Sequence, residues 1–301
     1  MLVHNFRSSV PARLGIEYET LRRINPRLIY CALTGYGDSG PLKDKAGYDQ
    51  VLQSMTGICT FQGPPGKPEI VYGSIVDYYA ASLLAYGVTA ALFHRERTGE
   101  GQYVGVSLLR TALAMQSGRL IWAEKEGREV GRDMRSGGIT GIHPTKEGEI
   151  YISANTPHFW RSLCELTGLP DLAEDPNYST VRKRAQRAGE IVPKLRAALT
   201  CHTALEWEER FGDRVPCGAV RPIEDMFDHP QVLAEGLVAT VSHKTVGPYR
   251  GLARPLHLSA SPGPEPFAAP ALGQHTAEVL GRFGYSAEQL QELRKLKVIP
   301  D

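Results

Sequence analysis

Cysteine is scarce and nothing pairs it. The five cysteines among 301 residues, Cys31, Cys59, Cys164, Cys201 and Cys217, are odd in number and irregular in spacing, with no C-x-x-C. That excludes a disulfide framework and fits the reduced thiols of a cytoplasmic protein. The nine histidines are scattered, with no H-E-x-x-H and no Cys/His cluster of zinc spacing. No metal is expected. Excess charge is also missing: 34 Lys plus Arg stand against 33 Asp plus Glu, a formal net charge of +1. Neither nucleic acid nor an anionic membrane is therefore an expected partner. Residues 1–7 contain no long apolar stretch of signal type, and no repeat period runs through the chain. The most apolar run, residues 78–93, is short of the ~20 residues of a comfortable membrane span. It carries Ser82, Gly87 and Thr89 and reads as a buried core helix.

What is present is a 42% hydrophobic chain, long enough for one large domain or two smaller ones. Residues 27–34 form a short β-leaning run that stops at glycines, the pattern of a buried strand. A Gly/Asp/Ser loop follows over 35–41, and 50–56 reads as a helix. Proline and glycine make 62–68 a loop, and 70–73 is a brief extended piece. The apolar helix starts after Asp77 and closes near His94, Arg95 and Arg97, with Gly99 beyond. A strand over 103–109 runs into a helix reaching about Lys125. Residues 127–145 read as a linker, 150–154 as a strand, and 159–166 and 192–199 as amphipathic helices. The stretch 248–270 reads as irregular. A last helix over 287–296 opens at Ser286, with Gln289 three residues on as in a capping box.

Two motifs in the first loop point the wrong way. Gly35-Tyr36-Gly37-Asp38-Ser39-Gly40 fits G-x-G-x-x-G, but a polar stretch ending in Gly47 follows where a dinucleotide fold needs a helix. Gly37-Asp38-Ser39-Gly40-Pro41 looks like the nucleophile loop of trypsin-like proteases, which are all-β and usually disulfide-bonded. Turn chemistry accounts for these residues.

Asp77 carries more weight. It stands between an extended piece and a long apolar helix, the place of an N-cap. A carboxylate there is also a competent nucleophile toward an activated acyl group. The helix N-terminus would favour the anion, and nearby amides would stabilise an oxyanion.

The two roles are compatible, and the blocks around Asp77 point to the second. Asn25-Pro26-Arg27-Leu28-Ile29-Tyr30, then Thr34-Gly35-Tyr36-Gly37, Gly40-Pro41 and Gly47-Tyr48-Asp49, resemble a signature of the class III CoA-transferases, the family of formyl-CoA transferase. Gly73-Ser74-Ile75-Val76-Asp77 resembles the stretch holding that family's nucleophilic aspartate. His94 to Gln102 and Val106 to Leu109 resemble its next block, and the likeness runs on in order through Trp160, Asp175-Pro176, Val215 to Gly218, His229-Pro230 and Ala269 to Thr276.

The resemblance implies an α/β fold: an incomplete Rossmann-like large domain with a smaller α+β domain. The large-domain part is expected over 1–135, the small domain over 136–235, and a return to the large domain over 236–301. It implies transfer of CoA from an acyl-CoA donor to a carboxylic acid, with Asp77 as nucleophile. Asn5, Phe6 and Arg7 correspond to CoA contacts, Arg13 to a CoA-phosphate arginine, and Ala46, Gly47, Tyr48 and Asp49 to the segment lining the thioester end. No permanently bound cofactor is implied, since the CoA thioester is a substrate. The family's interlocked homodimer is the implied assembly. The family also has a segment ahead of the N-F-x block that Met1 leaves out, so a separate chain supplying it is an expected partner and activity of this chain by itself is not expected. Two other readings stay open. One is an α-methylacyl-CoA racemase of the same superfamily, against which Tyr48 stands where a histidine is usual. The other is a truncated, non-catalytic subunit.

Overall fold

A computed structural model describes residues 1–63, 66–119 and 136–300. It divides into two bodies, Met1–Arg132 and Asp133–Asp301.

The first body is built on three short parallel strands, β1 (Leu2–His4), β2 (Tyr30–Thr34) and β3 (Tyr103–Ser107), in the spatial order β1-β2-β3. The register pairs Val3 with Cys31 and Cys31 with Val104. β2 lies in the middle and is buried almost throughout. An unbroken apolar run is what a parallel strand with neighbours on both sides requires. Among the described residues of this body the α-helices are α1 (Val10–Arg13), α2 (Tyr18–Ile24), α3 (Asp49–Thr56), α4 (Ile75–Thr98) and α5 (Leu108–Ala114). β3 is shorter than its apolar run implies. The Ser107 hydroxyl accepts the Arg110 N–H, and this cap starts α5 at Leu108. α5 then ends at Ala114, well before Lys125; residues 120–125 of the expected helix lie outside the described residues.

α4 departs from expectation at its start and in its burial. It begins at Ile75, so Asp77 lies inside its first turn and is not the N-cap. Its end is as expected, with Arg95 and Arg97 in the last turn and Gly99 in the left-handed conformation. By length and composition alone it is long and apolar enough to cross a membrane. It is not a fully buried core helix: Val76, Ala80 and Ala91 are buried, while Tyr78, Tyr86 and Phe93 are exposed. Its buried side packs in two places. Val76 and Ala80 join Tyr36, Leu52, Ile58, Leu108 and Ala112. Further along, Leu84, Val88 and Ala91 meet Ile29, Cys31 and Val104. Gly87 makes the second contact possible, because a Cβ there would lie 2.7 Å from the Val104 Cγ1. Glycine inside a helix costs about 1 kcal/mol relative to alanine, and the close approach to β3 offsets it.

The second body has its own core. β4 (Gly141–Pro144), β5 (Glu149–Ile152) and β6 (Cys217–Ala219) form an antiparallel sheet in the order β4-β5-β6. β4 occupies residues that read as linker, while residues 127–135 of that linker lie outside the described residues. Between β5 and β6 lie α6 (Pro157–Leu166), α7 (Pro170–Glu174), α8 (Val181–Gln186), α9 (Ala188–Leu199) and α10 (Ala204–Phe211). Ile150 and Ile152 on alternate positions of β5 meet Trp160, Leu163, Ile191, Leu195, Trp207 and Phe211 in one cluster. Arg184 is buried there, donating to the carbonyls of Tyr178 (3.0 Å) and Asn155 (2.8 Å), with its guanidinium 4.9 Å from the Trp160 ring centre. A short helix, α11 (Pro230–Ala234), precedes a hairpin of β7 (Val238–His243) and β8 (Gly247–Leu252). β8 thus orders the first residues of a stretch that reads as irregular. Helices α12 (Thr276–Arg282) and α13 (Ala287–Lys295) close the chain, α13 with the expected capping box of Ser286 and Gln289.

Candidate active site

All the residues expected at the site belong to the first body. In an open parallel sheet, ligands are taken beyond the carboxyl ends of the strands. Asn5, Phe6 and Arg7 follow β1 directly, and the Gly35–Gly40 loop follows β2. The structure joins the two loops. The Ser8 hydroxyl bonds to the Gly37 carbonyl and to an Asp38 carboxylate oxygen, each at 3.2 Å. The Ser9 N–H donates to Asp44 (3.0 Å), and the Tyr103 hydroxyl, from β3, donates to Asp38. A cavity of about 340 Å³ opens beside them, lined by His4, Ser8, Tyr18, Tyr30, Asp38 and Tyr103 among others. Phe6 stacks on His4, ring centres 5.4 Å apart. Arg7 is exposed, and Arg13 ends α1 exposed, its side chain in no hydrogen bond or ion pair among the described residues. A second cavity, about 460 Å³ and lined by Glu235, Arg254, His257 and Glu265 among others, belongs to the second body and contains none of the expected site residues.

The Ala46–Asp49 segment is brought to the end of β2 by a contact only glycines allow. A Cβ on Gly47 would lie 2.7 Å from the Gly35 Cα, and one on Gly35 2.9 Å from the Gly47 Cα. Beyond this crossing Tyr48 is 68% exposed, whereas Asp49, opening α3, is only 2% exposed. The Asp49 carboxylate has three protein donors. One oxygen accepts the N–H groups of Val76 (2.6 Å) and Asp77 (3.1 Å), and the other accepts Gln53 Nε2–H (2.5 Å). Asp49 is therefore the cap of α4, supplied from another helix. The amides of Val76 and Asp77 are occupied by it, so they are not free for an oxyanion.

The backbone entering α4 is unusual. Gly73 has φ +104°, and Ser74, at the N-cap position, is left-handed with φ 56° and ψ 45°. A non-glycine residue in that region costs about 1–2 kcal/mol, and such strain clusters at functional sites. One turn later comes Asp77, partly buried, its carboxylate in no hydrogen bond or ion pair among the described residues. Partial burial first, and the Asp49 charge second, hold its carboxyl above the ordinary carboxylate range. The N–H groups of Val76 and Asp77, at the helix N-terminus, serve the Asp49 carboxylate and not that of Asp77.

Sequence reasoning missed Gln53, fully buried on α3 with its amide engaged at Val71 and Asp49. Its signal was an Asp and a Gln four apart, one face of one helix turn.

The chain is similar to known proteins over most of its length. A family model described as CoA-transferase family III matches residues 1–276. The chain is 31% identical to the succinate–glutarate CoA-transferase of Agrobacterium fabrum, over 94% of its own length and 72% of that protein's. It is 31% identical to the succinyl-CoA:glutarate CoA-transferase of Mus musculus, over 93% of its own length and 65% of that protein's. Among solved structures, a mutant of Rv3272 from Mycobacterium tuberculosis is similar with a TM-score of 0.78 and 30% identity, covering 93% of this chain and 75% of that one. The chain spans about two thirds to three quarters of the length of these relatives. With one model covering both bodies as far as residue 276, the chain belongs to CoA-transferase family III, a family of transferases.

Proposed function

We propose that the protein transfers CoA between carboxylic acids through covalent intermediates on Asp77. The observation that carries this reading is the Asp77 carboxylate itself: partly buried, unpartnered among the described residues, and presented by a strained turn. A raised proton affinity goes with greater nucleophilicity. An Asp77 oxygen attacks the thioester carbonyl carbon of acyl-CoA, the C–S bond breaks, and CoA leaves as thiolate. The thiolate then attacks the Asp77 carbonyl carbon of the mixed anhydride. The C–O bond breaks, the donor acid leaves as carboxylate, and an aspartyl-CoA thioester remains. The acceptor carboxylate enters by the same two steps in reverse. No proton or electron is gained or lost over the cycle.

Asn5, Phe6 and Arg7 hold CoA at the end of β1 in this reading, with Ala46, Gly47 and Tyr48 toward the thioester. Arg13 pairs with a CoA phosphate; its exposure and lack of a protein partner among the described residues support that role. Arg13→Ala should raise the KM for acyl-CoA with a smaller effect on the acceptor acid; equal effects on both would remove the assignment. The acceptor is to be found by screening acids, beginning with succinate and glutarate, the acids named in the relatives.

The assembly proposed is a homodimer. Tyr79, Tyr86 and Phe93 recur every seven residues along α4, and all three are exposed, Tyr86 by 76%. That spacing places them on one face of the helix, as a helix–helix contact requires. Light scattering should give a dimer mass that Tyr86→Glu lowers, and a monomeric wild type would rule this out. β1 is also a sheet edge, and an open edge accepts a further strand, so a separate chain supplying one is part of the same proposal. Full transfer by the 301-residue chain alone would dispose of that part.

The test of the central reading is chemical. The chain, with a strand-supplying segment where transfer needs it, is incubated with acyl-CoA and hydroxylamine. Asp77 should be converted to a hydroxamate, seen by mass on its peptide. An unmarked Asp77 in a transferring enzyme would sink the reading.

A further inference from the structure

We infer that Gln53 is a positioning residue whose buried carboxamide sets the turn that presents Asp77. The inference rests on Asp77 being the nucleophile.

Gln53 is 0% exposed. Its amide treats Val71 as a neighbouring strand would. Gln53 Oε1 accepts the Val71 N–H at 2.9 Å, and Gln53 Nε2–H donates to the Val71 carbonyl at 2.8 Å. The two residues are 18 apart in sequence. This pairing fixes which way the amide points, so the second Nε2 hydrogen is left for Asp49. Asp49 in turn holds the N–H groups of Val76 and Asp77.

One face of α3 therefore grips both ends of a short segment. Gln53 holds Val71 before the turn, and Asp49 holds Val76 and Asp77 after it. Between the anchors lie Gly73 and Ser74, both with positive φ. A left-handed serine persists only where its surroundings over-determine it, and these two anchors are the groups that do so. The hydrogen bond between Gln53 and Asp49 links the anchors. Loss of the carboxamide frees Val71 and leaves one Asp49 oxygen without its donor. The Asp49 carboxylate is then free to rotate, and the first turn of α4 with it.

Gln53→Met fills a similar buried volume and removes all three hydrogen bonds. Two readouts are taken: hydrogen exchange at the Val76 and Asp77 amides, and the rate at which acyl-CoA and hydroxylamine mark Asp77. Neither amide touches Gln53. Exchange at both should nevertheless speed up roughly tenfold or more. Marking should slow by roughly 10²-fold, the effect of a misplaced reacting group, with the acyl-CoA KM within about twofold of wild type. Unchanged protection with unchanged marking would overturn the inference. If Asp77 is unmarked in the unsubstituted enzyme, the nucleophile reading fails instead, and exchange alone decides whether Gln53 governs the turn. Should Gln53→Met not fold, Gln53→Glu keeps the shape, and its carboxyl can donate only when protonated. Relative to wild type at the same pH, marking should then recover in part as pH falls through that carboxyl's ionisation, since its single O–H can serve one of the two acceptors. A pH profile parallel to wild type would overturn the inference as well.

Discussion

Asp77→Asn should abolish CoA transfer while leaving the protein as stable as before, or more so. The amide cannot form the anhydride, so turnover should fall by roughly 10³-fold or more. Stability follows from the surroundings of Asp77. It is not the cap of α4, because Asp49 accepts the first N–H groups, so no capping energy is lost. Its carboxyl is held above the ordinary value of 3.8, by burial first and the Asp49 charge second. The folded state then binds the Asp77 proton more tightly than the unfolded chain does. Stability therefore falls as pH rises from the unfolded value through the raised folded one, and this cost is fully present above that window. Most carboxylates that aid folding behave the opposite way. Melting temperatures of wild type and Asp77→Asn should coincide well below pH 4 and separate above it, with the variant higher at pH 7. A variant that melts lower at pH 7 would show that Asp77 has a structural partner, and an active one would remove the nucleophile. That pair of outcomes is the stability–activity trade-off expected of the proposed nucleophile.

Asp49→Asn should be the more damaging change, although asparagine ordinarily caps a helix as well as aspartate. All three partners of Asp49 are donors: two backbone N–H groups on one oxygen and Gln53 Nε2 on the other. An amide has one acceptor and one donor end. Whichever way it turns, its NH2 meets a donor, either at the helix or at Gln53. Gln53 cannot turn to compensate, because Val71 fixes it through both its N–H and its C=O. A buried donor without an acceptor costs about 1–3 kcal/mol, which for a body of this size lowers the melting temperature by about 4–11 °C. Activity should fall with it, since the turn presenting Asp77 loses an anchor. Calorimetry of Asp49→Asn and Asp77→Asn side by side tests both claims. Equal melting temperatures would mean that Asp49 is not the cap.

Local rules were enough wherever the chain consults only itself. β2 was legible as an apolar run stopped by glycines, α3 to within a residue of its start, and the C-terminal end of α4 and the start of α13 from their capping residues. Periodicity misjudged α4 because a helix against one face of a sheet buries little of its circumference. Its exposed tyrosines count as apolar in sequence and stand in solvent in the fold. Capping also accounts for two misplaced boundaries: the Ser107 hydroxyl ended β3 early, and a side chain from another helix let α4 start two residues before Asp77.

The sequence by itself determined the family, the ordered blocks from Asn5 to Thr276 and Asp77 as the residue of interest. Those are properties of residue identity and order, and a family model spanning residues 1–276 reads the same information. Only the tertiary structure decided what Asp49 and Gln53 do. A buried carboxylate and a buried carboxamide take their roles from the groups they face. Here those groups are Val71, Val76 and Asp77, 18 to 28 residues away in sequence. They meet because two glycines, Gly35 and Gly47, let one loop cross another at main-chain contact. Spacing along the chain encodes neither that crossing nor its result, which is that one carboxylate is spent on hydrogen bonds while the next has none among the described residues.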